Sequence, residues 1–585
     1  MHATSLVFAL FFICLFGCTL AVAQEDLAAV RKQADQWRAE GRIIDLHQHI
    51  DFTPEHLARA VKIADQAGVG IITNLGTGSV TPGPNGEPSE FERNKRLGDQ
   101  LHPGRFIHYM VLDYAGWDQP DFSDRAVKQI DEGHRLGSAG LKEFKRLGLY
   151  LRDGQKKLIR IDDPKLDRVW KRCGELNMPV SIHVGDPKAF WLPYNDKNER
   201  WKELKDHRSW WFGDAEKFPP WKELLESLNR VLGRHPKTTF VSVHFANNAE
   251  ELDWVDQALD RYPNMMADLA ARIPEIGRHN PDTVRQLFIK HQDRIFFGTD
   301  FQVFDRLILG SSGNEPPPTD LDAATFFAKH WRWFETRDAN WPHMTPIQGD
   351  WTISSIGLPA SVLRKIYFDN ARRLLAPLLP LPTMTATRID QDFNIDGDLS
   401  KPVWRNAAPV RIEYTLREAS PRPAIFTTVK CLWSPTHLYF AFECPYTRLT
   451  VFDPPSPTKR LGLWDRDVVE VFVGTDPANI KRYAEFEVAP TNERLDVAIN
   501  LPDKDFDYNS RFTSAIRINE PAAIWAAEIR IPIASIATAK PSPGSRWRLN
   551  LFRSDRAANA FLAWNPPLTG TTHTPERFGT LLLAD

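Results

Sequence analysis

Residues 43–50 read Ile-Ile-Asp-Leu-His-Gln-His-Ile, and the two histidines of this run are spaced for metal chemistry. In an extended strand successive side chains alternate faces, so His47 and His49 project together and Asp45 shares their side. Two imidazoles on one face can grip a single divalent ion. Ile44, Leu46 and Ile50 suit a strand buried on both sides, as in a parallel sheet. His-x-His also occurs by chance, so the case rests on further ligands downstream. Three more candidates close other short apolar runs: His183 in Pro179–Asp186, His244 in Thr239–Asn247 and Asp300 in Arg294–Phe301. Four histidines and a carboxylate at equivalent ends of separate strands are far more specific than any one of them.

The elements that must carry these groups repeat as a short strand, a loop and a helical stretch. Strands are expected at 43–50, 70–76, 106–113, 139–145, 179–186, 239–247, 264–271 and 294–301. Such alternation implies parallel pairing, and a closed (β/α)8 TIM barrel over residues 24–378 is the economical solution. An open doubly wound sheet competes, but no Gly-rich fingerprint favours it. In a barrel the reacting groups sit at the carboxyl ends of the strands, where the five candidates fall. Residues 379–387, rich in Pro and Thr, read as a linker. Beyond it, residues 388–585 change to short alternating strands with turns, the pattern of an antiparallel β-sandwich.

A net charge of −2 argues against nucleic acid or an anionic membrane surface as partner. The first 23 residues carry no Asp, Glu, Lys or Arg, and the apolar run Leu6–Leu20 precedes Ala21-Val22-Ala23. This reads as a signal peptide cleaved after Ala23, for a secreted or periplasmic protein. Leu15-Phe16-Gly17-Cys18 fits a lipoprotein cleavage site less well, because of Phe at its second position. No stretch has the roughly 20 apolar residues of a membrane span. Cys173, Cys431 and Cys444 remain after cleavage and do not make a disulfide framework. A hairpin turning at Ser434–His437 would set residue 431 opposite about residue 440, which argues against a Cys431–Cys444 bridge.

The order of these motifs resembles the amidohydrolase superfamily, and more closely its amidohydrolase-2 branch, which includes aminocarboxymuconate-semialdehyde decarboxylase. The residues that carry the resemblance are Asp45-Leu-His-Gln-His, Ser181-Ile-His183, Val243-His244, Gly298-Thr-Asp300 and the segment Ile356 to Leu375 with its Asn370-Ala371-Arg-Arg. The resemblance implies that His47, His49, His183 and Asp300 hold one divalent ion, most often zinc, with His244 beside it for acid/base work. Three neutral imidazoles and one carboxylate leave the ion about one net positive charge, and an open position can hold water whose pKa falls toward about 7. Asp300 and His244 are then the catalytic candidates. Barrels of this branch often pair as homodimers.

Binuclear members of the superfamily use a carboxylated lysine on strand four. Here Lys142 and Lys145 stand there with Glu143 between, and alternation lets only one lysine enter the barrel mouth. Lys142 is the expected one, as a contact for a substrate anion. Arg272 past strand seven and Arg208 are further candidates for a substrate carboxylate. Trp191 belongs to an aromatic-rich insertion, residues 190–212, that is expected to shape the site as a lid or simply to pack on the barrel.

The second half resembles the family 9 carbohydrate-binding modules, through Ile395-Asp-Gly-Asp to Trp404, Trp464-Asp-Arg-Asp467-Val-Val-Glu470 and Glu576-Arg-Phe-Gly579. Trp433, Trp464 and Trp564 are candidates for a sugar-stacking platform, with core packing as the competing role. The expected function is hydrolysis of an ester, lactone or amide of a small, carbohydrate-derived molecule through a metal-activated water. Non-oxidative decarboxylation of an unsaturated or aromatic acid and non-catalytic carbohydrate binding are the alternatives.

Overall fold

The computed structural model describes residues 26–313, 316–456 and 459–585, so the expected signal segment lies outside the described residues. Eight parallel strands form the first domain: β1 (Ile43–Ile50), β2 (Val69–Ser79), β3 (Phe106–Val111), β4 (Gly140–Glu143), β5 (Val180–Ile182), β6 (Phe240–Ser242), β7 (Met265–Asp268) and β8 (Ile295–Phe296). Each pairs with the next in order from β1 to β8. The ring closes through backbone bonds, Leu46 N donating to Phe297 O at 3.0 Å and Asp300 N to His47 O at 2.8 Å. A side chain clasps the same seam: Asp45 accepts from Thr299 Oγ1 (2.6 Å), Thr299 N (3.1 Å), Gln48 Nε2 (2.7 Å) and His47 N (3.1 Å). Burial pushes its carboxyl up to about 6 against these four donors. Asp45 therefore closes the barrel beneath the histidines.

The crossover helices obey ordinary local chemistry. Thr53 Oγ1 accepts from His56 N, Pro54 takes the first helical position and Gly68 ends the Pro54–Ala67 helix in the left-handed region at φ 80°. β9 (Phe301–Val303) adds to the upper end of β1, and β10 (Leu307–Leu309) folds back on it. No helix among the described residues is long and apolar enough to cross a membrane.

β5, β6, β7 and β8 end earlier than their apolar runs suggest, because the chain leaves the sheet where the functional groups begin. After β6 four residues in succession, His244, Phe245, Ala246 and Asn247, have φ of 55°, 53°, 63° and 58°; Ala271 and Asp300 have 55° and 58°. Each non-glycine residue there costs about 1–2 kcal/mol. The turn after β6 is held by cross-strand bonds: His244 N donates to Asp268 Oδ1 (2.9 Å), and the Asn247 amide bridges Val184 N (3.0 Å) and Ile182 O (3.3 Å). Strain is thus concentrated at the strand ends and fixed there by buried polar groups.

The second domain is a β-sandwich. One sheet contains Val468–Gly474, Arg482–Val488, Arg494–Asn500, Arg546–Asp555 and Gly579–Leu583; the other contains Thr427–Trp433, His437–Pro445, Thr513–Asn519 and Ile524–Pro532. Part of the segment read as a linker is a strand of this domain. Thr383–Arg388 pairs in parallel with Gly579–Leu583 and with Thr427–Trp433, joining the two sheets, while Met384 and Ala386 enter the core. Cys431 lies opposite Phe440, and all three described cysteines are free and buried.

The sandwich docks against the amino-terminal end of the barrel, away from the histidines. Arg42, just before β1, and Arg364 both grip Glu413, at 2.5 and 3.0 Å, and Tyr414 OH donates to Asp369 at 3.1 Å. Burial opposes ionisation of Glu413, but the two guanidinium groups outweigh it and hold the carboxyl at about 2.

Candidate metal centre and active site

At the carboxyl end of the barrel His47 Nε2 and His49 Nε2 lie 3.8 and 3.5 Å from one oxygen, Asp300 Oδ1. Ligand atoms about 2.0–2.2 Å from a tetrahedral ion are about 3.3–3.6 Å apart, so the donor types and the 3.5 Å spacing fit a divalent ion, and the 3.8 Å spacing is slightly wide for one. His183 and His244 complete the cluster, with ring centroids 4.3 Å apart and His244 5.1 Å from His47. His183 Nε2 bonds to Asp186 Oδ1, so His183 groups with Asp186 and His244, and His47, His49 and Asp300 form the other triplet.

Two carboxylates that sequence reasoning did not single out orient these rings. Asp268, the last residue of β7, takes His47 Nδ1 at 2.8 Å on Oδ2, and His244 N (2.9 Å) and Ala270 N (3.2 Å) on Oδ1. Burial works against its ionisation, but His47 and Lys142 outweigh burial and hold the carboxyl below its usual range. With Nδ1 turned to a carboxylate, His47 presents Nε2 to the cavity. His244 Nδ1 donates to Ala270 O at 2.7 Å, which likewise leaves Nε2 as an unprotonated acceptor. Burial, helped by His183, Arg272 and His47 and opposed by Asp186, holds His244 well below the usual imidazole range. Asp186 joins His183 to Arg272, whose Nε donates to Asp186 Oδ2 at 2.7 Å. A carboxylate at the end of β7, the position type that Asp300 holds after β8, was the available signal for Asp268.

The cluster opens into a cavity of about 490 Å³. His47, His49, Lys142, His183, His244, Arg272 and Asp300 line it, and so does Lys145. Alternation fails for Lys145 because β4 ends at Glu143 and the chain then turns; Glu143 faces outward, where burial raises its carboxyl to about 7. Burial brings both lysines down to about 8, with Asp268, Asp300 and Asp186 pulling Lys142 up and Asp186 pulling Lys145 up. Phe190 and Trp210 form the cavity wall in the 190–212 insertion.

Trp191 and Arg208 do not line it. Trp191 Nε1 donates to Pro219 O and its ring packs on Phe212, while the Arg208 guanidinium is clamped between Tyr194 and Trp211 at 3.9 and 4.3 Å. Both brace the insertion from outside. In the sandwich the three indoles are not brought together: Trp433 and Trp564 are core residues, 2% and 8% exposed, and of the three only Trp464 is partly exposed, at the rim of a separate cluster.

Residues 96–376, within the barrel, match the amidohydrolase family. Residues 395–585 match the carbohydrate family 9 binding domain-like family, so the chain joins the two. An "extracellular protein" of Arthroderma benhamiae is 26% identical over 189 residues, covering 29% of this chain and 83% of its own. Among solved structures, the chain is similar to a 2,6-dihydroxybenzoate decarboxylase (16% identity, TM-score 0.33, 57% of this chain and 98% of the other). It is also similar to a family 9 carbohydrate-binding module of Caldicellulosiruptor kristjanssonii in complex with cellotriose (17%, TM-score 0.27, 35% and 94%).

Proposed function

We propose that the protein is an exported, metal-dependent hydrolase that cleaves an ester, lactone or amide bond of a small, carbohydrate-derived molecule. The observation that carries this reading is the convergence of His47, His49 and Asp300 on one point at the barrel mouth, beside His183 and His244. His47, His49 and Asp300 would hold one divalent ion, zinc by the chemistry of the donor set, with His183 as the fourth ligand once its Nε2 leaves Asp186. Bound there, the ion would polarise a carbonyl and acidify a water. Asp300, whose carboxyl burial raises, is placed to accept a proton from the nucleophile. His244 Nε2, with its tautomer fixed by Ala270 O, is placed to accept and return a proton at the substrate. Phe190 and Trp210 give the cavity one aromatic wall, which would shield the reacting groups on that side.

A second reading, non-oxidative decarboxylation, is favoured by the cationic wall of Lys142, Lys145 and Arg272, which would neutralise a carboxylate. Zinc-loaded protein assayed on a panel of lactones, esters and amides separates the two. Zinc-dependent acid release without CO2 supports hydrolysis; CO2 release from aromatic or unsaturated acids, with no hydrolysis on the panel, overturns it.

The sandwich supplies a docked module, with Trp464 as the one candidate indole for a sugar face. A small-molecule substrate and a glycan ligand are the partners this reading calls for.

A further inference from the structure

Four polar residues of the cavity wall have no part in the metal centre: Arg200 and Glu203 from the 190–212 insertion, and Ser311 and Ser312 from the loop after β10. Separate segments hold them in place. Arg200 Nη1 donates to Glu203 Oε2 at 2.7 Å, Arg200 Nη2 donates to Glu275 past β7, and Ser311 Oγ donates to the other Glu203 oxygen. Ser312 Oγ meets His207 Nε2 at 2.9 Å. Arg200 and Glu203 are each 1% exposed, so the pair is fixed before a ligand arrives. Bonding capacity is left over. A carboxylate offers about four lone-pair sites, of which Arg200 and Ser311 take one each, both serine hydroxyls can still accept, and Arg200 Nε makes no hydrogen bond. The same wall carries an indole: Trp210 is half-buried, lines the cavity and is braced edge-on by His207, ring centroids 4.1 Å apart. Around the cavity Lys142, Lys145, Arg200 and Arg272 are set among Glu203, Glu275, Asp186, Asp268 and Asp300, so the wall is charged in both senses.

We infer that Arg200, Glu203, Ser311, Ser312 and Trp210 form a polyol subsite, so that the molecule bound beside the metal triplet is a hydroxylated ring of the monosaccharide class. This deepens the hydrolase reading and rests on it: the scissile carbonyl reaches His47, His49 and Asp300 while ring hydroxyls lie on the Arg200–Glu203 pair. A hydroxyl donates and accepts at once, and two neighbouring hydroxyls can span an acceptor and a donor set side by side, as a paired carboxylate and guanidinium are. A sugar ring also has an apolar C–H face, which packs on an indole. A flat aromatic body would use the ring face but leave the spare donors and acceptors of the pair unanswered. As a clasp for the insertion alone, a fully buried charged pair gains little over apolar packing, whereas as a recognition group it is already oriented.

The test compares glucono-δ-lactone with δ-valerolactone, the same ring ester with and without hydroxyls, on zinc-loaded full-length protein. The hydroxylated lactone is expected to show a KM about 10- to 100-fold below that of the other, as one or two hydrogen bonds to charged groups would give. In Glu203→Gln and Ser311→Ala, each checked for native circular dichroism, the ratio of the two KM values falls toward one. A merely structural role for these residues would raise both KM values together and keep the ratio. A second arm measures glucono-δ-lactam and δ-valerolactam binding to metal-free full-length protein by calorimetry, in a Trp464→Ala background that removes the candidate indole of the sandwich. The hydroxylated lactam should bind at least about tenfold more tightly, and Glu203→Gln should abolish the difference. Equal KM values, a ratio that survives both variants, or lactam binding that is lost in Trp464→Ala or is indifferent to Glu203 overturns the subsite. If neither lactone is turned over but lactam binding still depends on Glu203 and Ser311, the subsite stands and the hydrolase reading falls.

Discussion

Asp268→Asn is the substitution that probes most sharply how the metal centre is built. The asparagine oxygen can keep the Oδ1 position and still accept from His244 N and Ala270 N, at 2.9 and 3.2 Å in the native protein. The change then falls on Oδ2, where an amide NH2 replaces the carboxylate that takes His47 Nδ1 at 2.8 Å. Two donors cannot face each other, so Nδ1 must become the acceptor and the ring proton moves to Nε2, the atom that faces the proposed metal site. Loss of one charge-assisted bond, about 1.5–3 kcal/mol, together with the wrong tautomer, matches the 10- to 100-fold loss of affinity typical of removing a ligand's supporting carboxylate. Zinc competition against a chromophoric chelator, at constant pH, measures this directly. Affinity should fall about 10- to 100-fold while the thermal midpoint of the metal-free protein changes little. Unchanged zinc affinity would show that His47 is not aimed by Asp268, and the reasoning from tautomer to metal site would be wrong.

Two further outcomes concern the sandwich. Glu413→Ala leaves Arg42 and Arg364 buried without their shared carboxylate and should destabilise the chain by about 3–5 kcal/mol in denaturant titrations; a change within experimental error would remove this contact as the domain anchor. Glu470, Glu485 and Glu487 stand together on adjacent strands, and burial first, then mutual repulsion for Glu470 and Glu487, raises their carboxyls, so they stay protonated in the folded chain after the unfolded chain has ionised. Stability therefore falls as pH rises above about 4.3, by up to about 1.4 kcal/mol per pH unit for each such group. Unfolding free energies of Glu487→Gln should decline less steeply than those of the native chain between pH 5 and pH 7, and parallel profiles would refute the assignment.

Strand positions and metal-binding residue types were legible because both are short-range signals. The His-x-His alternation fixes a face, and the repeat of strand and helix fixes a parallel ring whose carboxyl ends collect His183, His244 and Asp300. What was not legible lies where local periodicity stops. The four left-handed residues from His244 to Asn247 are held by Asp268 and Asn247 across the sheet, and no pattern of neighbours announces such a turn. Lys145 was assigned to the wrong side because alternation was carried past Glu143, where the strand ends. Residues 379–387 looked like a linker because Pro and Thr dominate them, yet Met384 and Ala386 supply the inward face of a strand. For Trp433 a usable signal existed. Val429, Cys431 and Trp433 share one face of their strand while Thr428 and Lys430 take the other, which marks an indole in the core.

The most direct measurement is the metal content of purified full-length protein after equilibration with excess zinc and removal of loose ions, by elemental analysis. The account predicts one tightly held equivalent per chain, absent from His49→Ala and Asp300→Ala. A native chain that retains none, that retains two, or whose variants hold as much as the parent would contradict it.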